Sequence, residues 1–180
     1  MNAFEDIVRR YLEREGYWVR QSVKVDIPKG DKAAIGTYSM PTPEVDLVAL
    51  NVRDNELLLV EAKSFLDSYG VYYEAFSDPT DPGAKRYKLF TNVTFREKVT
   101  NQLRKQFIDQ GLINSATKIN YALAAGHIHS GNEQPIRDYF AKNGWKVFGP
   151  DQIRGFIEQL ASKGYEDDLV TMTVKLLKQK

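Results

Sequence analysis

The chain contains no cysteine among its 180 residues. Disulfide bonds and cysteine-based zinc sites are therefore excluded. The chain also lacks an excess of either charge, since 25 basic and 24 acidic side chains leave a formal net charge of +1. This balance excludes a uniformly basic coat for nucleic acid, but it leaves room for a local basic groove.

Long apolar runs are also absent, and none approaches the length needed to span a bilayer. The first ten residues mix acidic and basic side chains and contain no signal-peptide core. We therefore expect a cytoplasmic protein without a membrane partner. Hydrophobic residues make up 42% of the chain and charged residues 27%, which is typical of a globular protein. The length predicts a single domain over residues 1–180.

What the chain does contain is a distinctive stretch from Pro43 to Lys63, PEVDLVALNVRDNELLLVEAK. Two runs rich in valine and leucine flank a short polar segment, which predicts a strand, a turn and a second strand. Three ionisable residues interrupt the apolar runs, namely Asp46, Glu61 and Lys63. Charges in such strands are costly unless they are paired or bind a metal ion.

The turn position decides how these three residues face one another. Side chains alternate along a strand, so Glu61 and Lys63 share one face. A turn at Arg53-Asp54 places Asp46 opposite Glu61, whereas a turn at Asp54-Asn55 places it opposite Lys63. Both registers gather the three groups on one face, and a register between them would scatter the groups.

Two carboxylates beside an ammonium group suit a hard divalent cation and a positioned water. Mg²⁺ prefers oxygen ligands and retains several waters in phosphate-processing sites. Lys63 would then orient the water or stabilise charge on a phosphate. The simpler alternative is a salt-bridged strand end, in which Lys63 neutralises Asp46 or Glu61.

Pro43-Glu44-Val45-Asp46, followed after a hairpin by Glu61-Ala62-Lys63, resembles the motif of the PD-(D/E)xK nuclease superfamily. The proline is displaced here, since the segment reads P-E-V-D rather than P-D. The resemblance implies an α/β restriction-endonuclease-like fold with an α-β-β-β-α-β core, a mixed central sheet and, in this chain, extra C-terminal helices. It implies Mg²⁺-dependent hydrolysis of DNA phosphodiesters, with Mn²⁺ as a substitute ion. Asp46, Glu61 and the Ala62 carbonyl would bind the metal, and Lys63 would position the water.

Two helices add candidate residues. Asn2 is predicted to cap a first helix that runs to about Glu15. The resemblance implies that Glu5 on this helix reaches the metal site, whereas the alternative is an ion pair with Arg9 one turn later. A longer helix is predicted from Asn92 to Gln110, and the resemblance implies that Gln102 or Gln106 on it approaches Lys63.

Two segments are predicted to lack regular structure, a loop at 28–43 and an irregular insertion at 64–91. Tyr72 and Tyr73 are interpreted as core residues; the alternative for the aromatic residues of the insertion is contact with stacked bases. Its basic cluster, and the basic side of the helix that follows, are predicted to hold the phosphate backbone. These residues are Lys85, Arg86, Lys88, Arg96 and Lys105; the alternative for each is a solvated surface charge.

Later elements are predicted as strands at Lys118–Ile128 and Gly144–Phe148, and as helices at Pro135–Lys142, from Gly149 to about Ser162 and at Asp167–Lys180. His127 and His129 have no evident third ligand and are interpreted as histidines at a strand end or in a loop.

Taken together, the sequence predicts a metal-dependent deoxyribonuclease. The alternative is a catalytically inactive nucleic-acid-binding or assembly module with the same fold. The sequence does not exclude RNA as the substrate. It also leaves a homodimer possible.

Overall fold

The centre of the molecule is a five-stranded sheet in which the strands follow chain order. A computed structural model describes residues 2–36, 38–162, 164 and 168–178. The strands are β1 (Trp18–Lys24), β2 (Glu44–Asn51), β3 (Glu56–Lys63), β4 (Lys118–Ala125) and β5 (Lys146–Phe148). β2 is antiparallel to both of its neighbours, β1 and β3, whereas β3, β4 and β5 run parallel to one another. The predicted α/β class with a mixed sheet is therefore confirmed.

Helices cover both faces of this sheet. They are α1 (Ala3–Arg14), α2 (Lys29–Ile35), α3 (Glu74–Ser77), α4 (Lys88–Thr91), α5 (Val93–Asp109), α6 (Glu133–Lys142), α7 (Pro150–Ser162) and α8 (Leu169–Lys178), with a 3-10 helix at Pro82–Arg86. The Asn2 and Asn92 side chains accept hydrogen bonds at the first turns of α1 and α5. Among the described residues, no helix is long and apolar enough to cross a membrane.

The sheet separates two apolar layers. Phe4, Val8 and Leu12 of α1 and Ile153 of α7 pack on one face, against Leu47, Leu58 and Val60. The other face buries Val48, Leu57 and Leu59 beneath residues of α5 and α6. Burial of apolar surface on both faces explains why β3 and β4 carry almost continuous hydrophobic runs.

The hairpin has the first of the two predicted registers. Leu47 pairs with Val60, and Asn51 pairs with Glu56. The turn is therefore centred on Arg53-Asp54, as in the register that would place Asp46 opposite Glu61, and the regular pairing ends one residue before this pair.

Two predicted irregular segments proved to be more ordered than expected. The predicted loop at 28–43 contains α2, whose Ile35 is buried. The segment 64–91 contains three short helices, and Val71, Phe76, Tyr87 and Phe90 from it belong to the core. Helices of four to seven residues are too short to show a hydrophobic period, so the sequence could not predict them. The last helix begins at Leu169; Asp167 and residues 179–180 of its predicted span lie outside the described residues.

One local distortion crosses β1 and β2 at the same level. Ser22 has a φ of 51°, in the left-handed region that non-glycine residues rarely adopt. Val19 packs against one apolar layer and Val23 against the other, although residues four apart in a regular strand share a face. Val45 and Leu47 likewise pack against different layers, despite being two apart. Both strands therefore twist at Ser22 and Asp46.

Candidate active site

Asp46, Glu61 and Lys63 come together where β2 begins and β3 ends. The Lys63 ammonium lies 2.5 Å from Glu61 Oε1 and 3.7 Å from Asp46 Oδ2. All three side chains are about one-fifth exposed. The structure thus brings the three motif residues together, and the ion pairs of the simpler sequence interpretation are also present.

The backbone beside Asp46 is held in an unusual way. The regular pairing between β2 and β3 ends at Leu47 and Val60, where the strand twist begins. Beyond this pair, the Ala62 N–H donates to Asp46 Oδ2 at 2.8 Å. The N–H and C=O of one strand residue project to the same side, so the Ala62 carbonyl also faces β2. This is the side on which the Asp46 carboxylate lies.

Burial dominates the electrostatics of Glu61. It raises the pKa of this carboxyl group, and the nearby Asp46 and Glu5 raise it further, against the opposing effect of Lys63. Burial lowers the pKa of the Lys63 ammonium. The Glu61 and Asp46 carboxylates raise it by more, so the Lys63 pKa lies above its usual value. Lys63 is therefore an ammonium ion at neutral pH and acts as a fixed positive charge rather than as a base.

Glu5 adds a third negative charge to this region. Burial first, and then the Asp46 carboxylate, raise the Glu5 pKa. The alternative ion pair with Arg9 is not formed, because Arg9 contacts Asp6 and Glu13 at 2.7 Å instead. Within the described part of the chain, no three His, Cys, Asp or Glu side chains are grouped so that they could hold a metal ion. Glu5 thus influences the two motif carboxylates without joining them as a third clustered ligand.

Glu61 also lines a cavity of about 270 Å³ between the sheet and the helices of one face. Lys85, Arg86 and Lys88 line the same cavity, together with Glu44 and apolar residues of β2, α4 and α5. We call these three basic residues the basic rim. The structure therefore places this part of the predicted phosphate-binding cluster beside a motif carboxylate.

The predicted residues on α5 are placed differently. No hydrogen bond between described atoms joins Gln102 to Lys63. Gln106 accepts one from the Asp26 N–H at 3.1 Å, so it secures the end of β1. Arg96 and Lys105 are nine residues, or two and a half helical turns, apart and lie on opposite sides of α5. The helix therefore does not present these two cations on one basic side.

The Arg96 side chain makes contacts within the protein. It donates to the carbonyls of Leu89 and Phe90, and its guanidinium lies 5.0 Å from the centre of the Trp145 ring. Lys105 is exposed. These contacts give Arg96 a structural role, and its contact with phosphate stays a prediction.

Two residues of this region had no functional signal in the sequence. Ser22 is not a residue type that favours positive φ, so its distortion beside Asp46 could not be deduced from its identity. Tyr87 looked like part of a basic and aromatic surface, but it is only 1% exposed. Its burial raises its pKa, and the Glu61 carboxylate adds to this shift. Tyr87 is thus a buried neighbour of the motif.

Comparisons of the chain with models of protein families, with curated proteins and with solved structures found no match. The resemblance to the PD-(D/E)xK nucleases accordingly rests on the motif residues alone.

Proposed function

We propose that the protein is a metal-dependent nuclease that hydrolyses DNA phosphodiester bonds, with a restriction-endonuclease-like core. One observation carries the proposal: the Asp46 and Glu61 carboxylates both contact the single ammonium of Lys63, and Glu5 adds a further negative charge near these two carboxylates. A structural ion pair would balance its charges. Burial first, and then the neighbouring carboxylates, raise the Glu5 and Glu61 pKa values, and a divalent cation would relieve the repulsion between these carboxylates.

The donor set fits a hard cation. Asp46 and Glu61 supply carboxylate oxygens, and the Ala62 carbonyl faces the same side. Two or three protein oxygens are enough for Mg²⁺, which retains waters for its other positions, and Mn²⁺ accepts the same ligands. When bound there, the cation supplies Lewis-acid stabilisation of the phosphate.

The chain's own residues account for the remaining requirements. Hydrolysis adds hydroxide from water to phosphorus, breaks one P–O bond and returns a proton to the leaving oxygen. Lys63 is a permanent cation that orients the water or stabilises the negative charge of the transition state. The basic rim binds the flanking phosphates, and Glu61 fixes the position of Lys63 through their contact of 2.5 Å.

A second candidate function is a nucleic-acid-binding or assembly module without catalysis. The contacts of Lys63 with both carboxylates favour it, because an ion-paired triad is stable without a metal. The two functions predict different results when Mg²⁺ is added: a nuclease cleaves DNA, whereas the binding module does not.

A cleavage assay separates them. Purified protein is incubated with supercoiled, linear and single-stranded DNA in Mg²⁺, in Mn²⁺ or in EDTA. We expect cleavage that needs a divalent ion and that falls at least about 100-fold in Asp46→Ala, Glu61→Ala and Lys63→Ala.

Glu56→Gln is the matched control. Glu56 is also a partly buried carboxylate on β3, and it pairs with Lys146 at 2.6 Å at the opposite end of the strand. This variant should cut DNA like the wild type. If no DNA is cut with either ion, or if Asp46→Ala and Glu61→Ala cut normally, the nuclease proposal is wrong.

A further inference from the structure

A second cluster of side chains lies at the edge of the sheet where the parallel strands β3 and β4 end. Tyr69 stacks on His129, with ring centroids 3.8 Å apart and an interplanar angle of 16°. Tyr69 is 62% exposed and Leu66 is 67% exposed. We call Leu66, Tyr69 and His129 the aromatic platform. Large apolar side chains this open to solvent are informative when they are grouped rather than scattered.

The backbone holds the platform in place. His127 Nδ1 lies 3.2 Å from the Phe65 carbonyl oxygen and 3.1 Å from that of Ser68. Gly70 has a φ of +89°, and a Cβ there would come within 3.0 Å of the His129 amide nitrogen. The exposed rings therefore belong to an ordered loop that is anchored by the residues following β4.

The platform adjoins the candidate active site on one side. The Lys63 carbonyl accepts a hydrogen bond of 2.9 Å from the Gly126 N–H. A Cβ at Gly126 would lie 3.3 Å from Leu66 Cδ2. Leu66 is thus packed beside the backbone that ends the motif strand.

The platform also reaches the basic rim. The Tyr69 and Tyr72 rings make an edge contact with centroids 5.6 Å apart. The Tyr72 hydroxyl donates to Asp81 Oδ1 at 2.7 Å, and the same oxygen caps the 3-10 helix that carries Lys85 and Arg86. The loop from Leu66 to Tyr72 therefore meets the backbone beside the motif strand at Leu66 and reaches the basic rim through Tyr69, Tyr72 and Asp81.

From this arrangement we infer that the aromatic platform is a stacking subsite for an unpaired nucleobase, so that the substrate class is single-stranded or locally unpaired nucleic acid. The inference deepens the proposed function and rests on it. Bases inside a duplex are stacked on one another, whereas an unpaired base can lie on an exposed aromatic ring. His129 covers one face of Tyr69, and the exposed remainder of the ring receives the base while the basic rim holds the phosphates. The basic rim, which the platform reaches through Tyr72 and Asp81, favours a polyanion over an apolar protein segment.

Binding without cleavage tests this subsite. Fluorescence anisotropy in EDTA compares a labelled oligothymidylate with an abasic strand of equal length and equal charge. Wild-type protein should bind the base-containing strand about tenfold more tightly. Tyr69→Ala should remove this preference and leave the affinity for the abasic strand unchanged, whereas Tyr69→Phe should keep it.

Trp18→Ala is the matched control. Trp18 is 77% exposed and pairs with Leu50, near the turn end of the hairpin and away from the motif. Its replacement should leave both affinities unchanged. An equal loss for both strands in Tyr69→Ala, or an unchanged preference, would overturn the inference.

A measurement on the unmodified protein covers the case in which Tyr69→Ala does not fold. A single-stranded oligonucleotide containing 2-aminopurine should lose fluorescence on binding, because stacking on an aromatic ring quenches this base. Unquenched binding overturns the subsite. If the protein prefers the base-containing strand but does not cleave DNA in Mg²⁺, the nuclease proposal is wrong and the subsite stands. If it cleaves DNA but shows no base preference, the subsite is wrong and the nuclease proposal stands.

Discussion

Individual charges decide how the candidate site behaves before any ligand arrives. Asp46 and Glu61 share the positive charge of Lys63, Glu5 adds a further negative charge near them, and burial works against ionisation of Glu5 and Glu61. Repulsion among these carboxylates destabilises the folded protein when no cation is bound. Sites that bind cations or catalyse reactions often contain groups perturbed in this way.

Replacing Glu5 by glutamine should reveal this repulsion as a pH-dependent gain in stability. The Glu5 pKa is raised above 4.5 in the folded protein, so folding favours the protonated form. The wild type therefore loses stability relative to Glu5→Gln as the pH rises from about 4.5 through the folded pKa. In EDTA, the melting temperature of Glu5→Gln should exceed that of the wild type near pH 7 and equal it near pH 4.

Glu13→Gln is the control on the same helix. Glu13 contacts Arg9 at 2.7 Å, so its neutralisation removes an ion pair and should not stabilise the protein. A lower melting temperature of Glu5→Gln near pH 7 would show that Glu5 is stabilised rather than strained by its surroundings.

Secondary-structure elements determine which charges can act together. The basic rim lies on the 3-10 helix and on α4, whereas Arg96 and Lys105 lie on opposite sides of α5. The sequence could not show that the basic rim is distinct from Arg96 and Lys105, because all of them are basic residues in one stretch of the chain. The separation follows from helix phase and from short helices that periodicity does not detect.

Combined replacement of Lys85, Arg86 and Lys88 by alanine should weaken DNA binding independently of sequence. The slope of log affinity against log salt concentration should fall by up to about three, one for each phosphate that the variant no longer binds. Anisotropy titrations at several salt concentrations measure both quantities.

The control removes equal charge elsewhere. Arg53 and Lys118 lie at the other end of the sheet, and Lys142 lies on α6; all three are exposed. Alanine at these positions should leave the salt slope unchanged. Equal effects of the two triple variants would mean that net charge, rather than the basic rim, controls binding.

The sequence predicted some elements much better than others. The motif hairpin, α1, α5 and the order of the later strands were recovered, because each has a clear period, a capping residue or a turn signal. The helices within 28–43 and 64–91 were missed because they are short. The twist at Ser22 and the contacts of Arg96 depend on tertiary packing, which no local pattern records.

At the scale of the whole molecule, the candidate site joins both layers that pack on the sheet. Glu5 comes from α1 on one face, whereas the basic rim belongs to the helices of the other face. The motif residues lie between them on β2 and β3. A ligand bound there would contact parts of the fold from both layers.

Global stability should therefore report metal binding. Mg²⁺ or Mn²⁺ should raise the melting temperature of the wild type, since a ligand that binds only the folded state adds RT ln(1 + [L]/Kd). At a hundredfold excess over Kd the gain is about 2.7 kcal/mol, or several degrees. Differential scanning fluorimetry with and without EDTA measures it.

Asp46→Asn should abolish the shift because it removes one of the two clustered carboxylates, and Glu56→Gln should retain it. An equal shift in Asp46→Asn and in the wild type would place the ion elsewhere on the protein.

The twist at Ser22 also affects how the molecule meets other copies of itself. β1 is an edge strand, and a straight edge offers a row of backbone groups to which a foreign strand can attach. The left-handed residue near the end of β1 interrupts that row, leaving only a short run available for pairing. We therefore expect a variant that straightens β1 to aggregate more readily, and also to disturb the backbone beside Asp46.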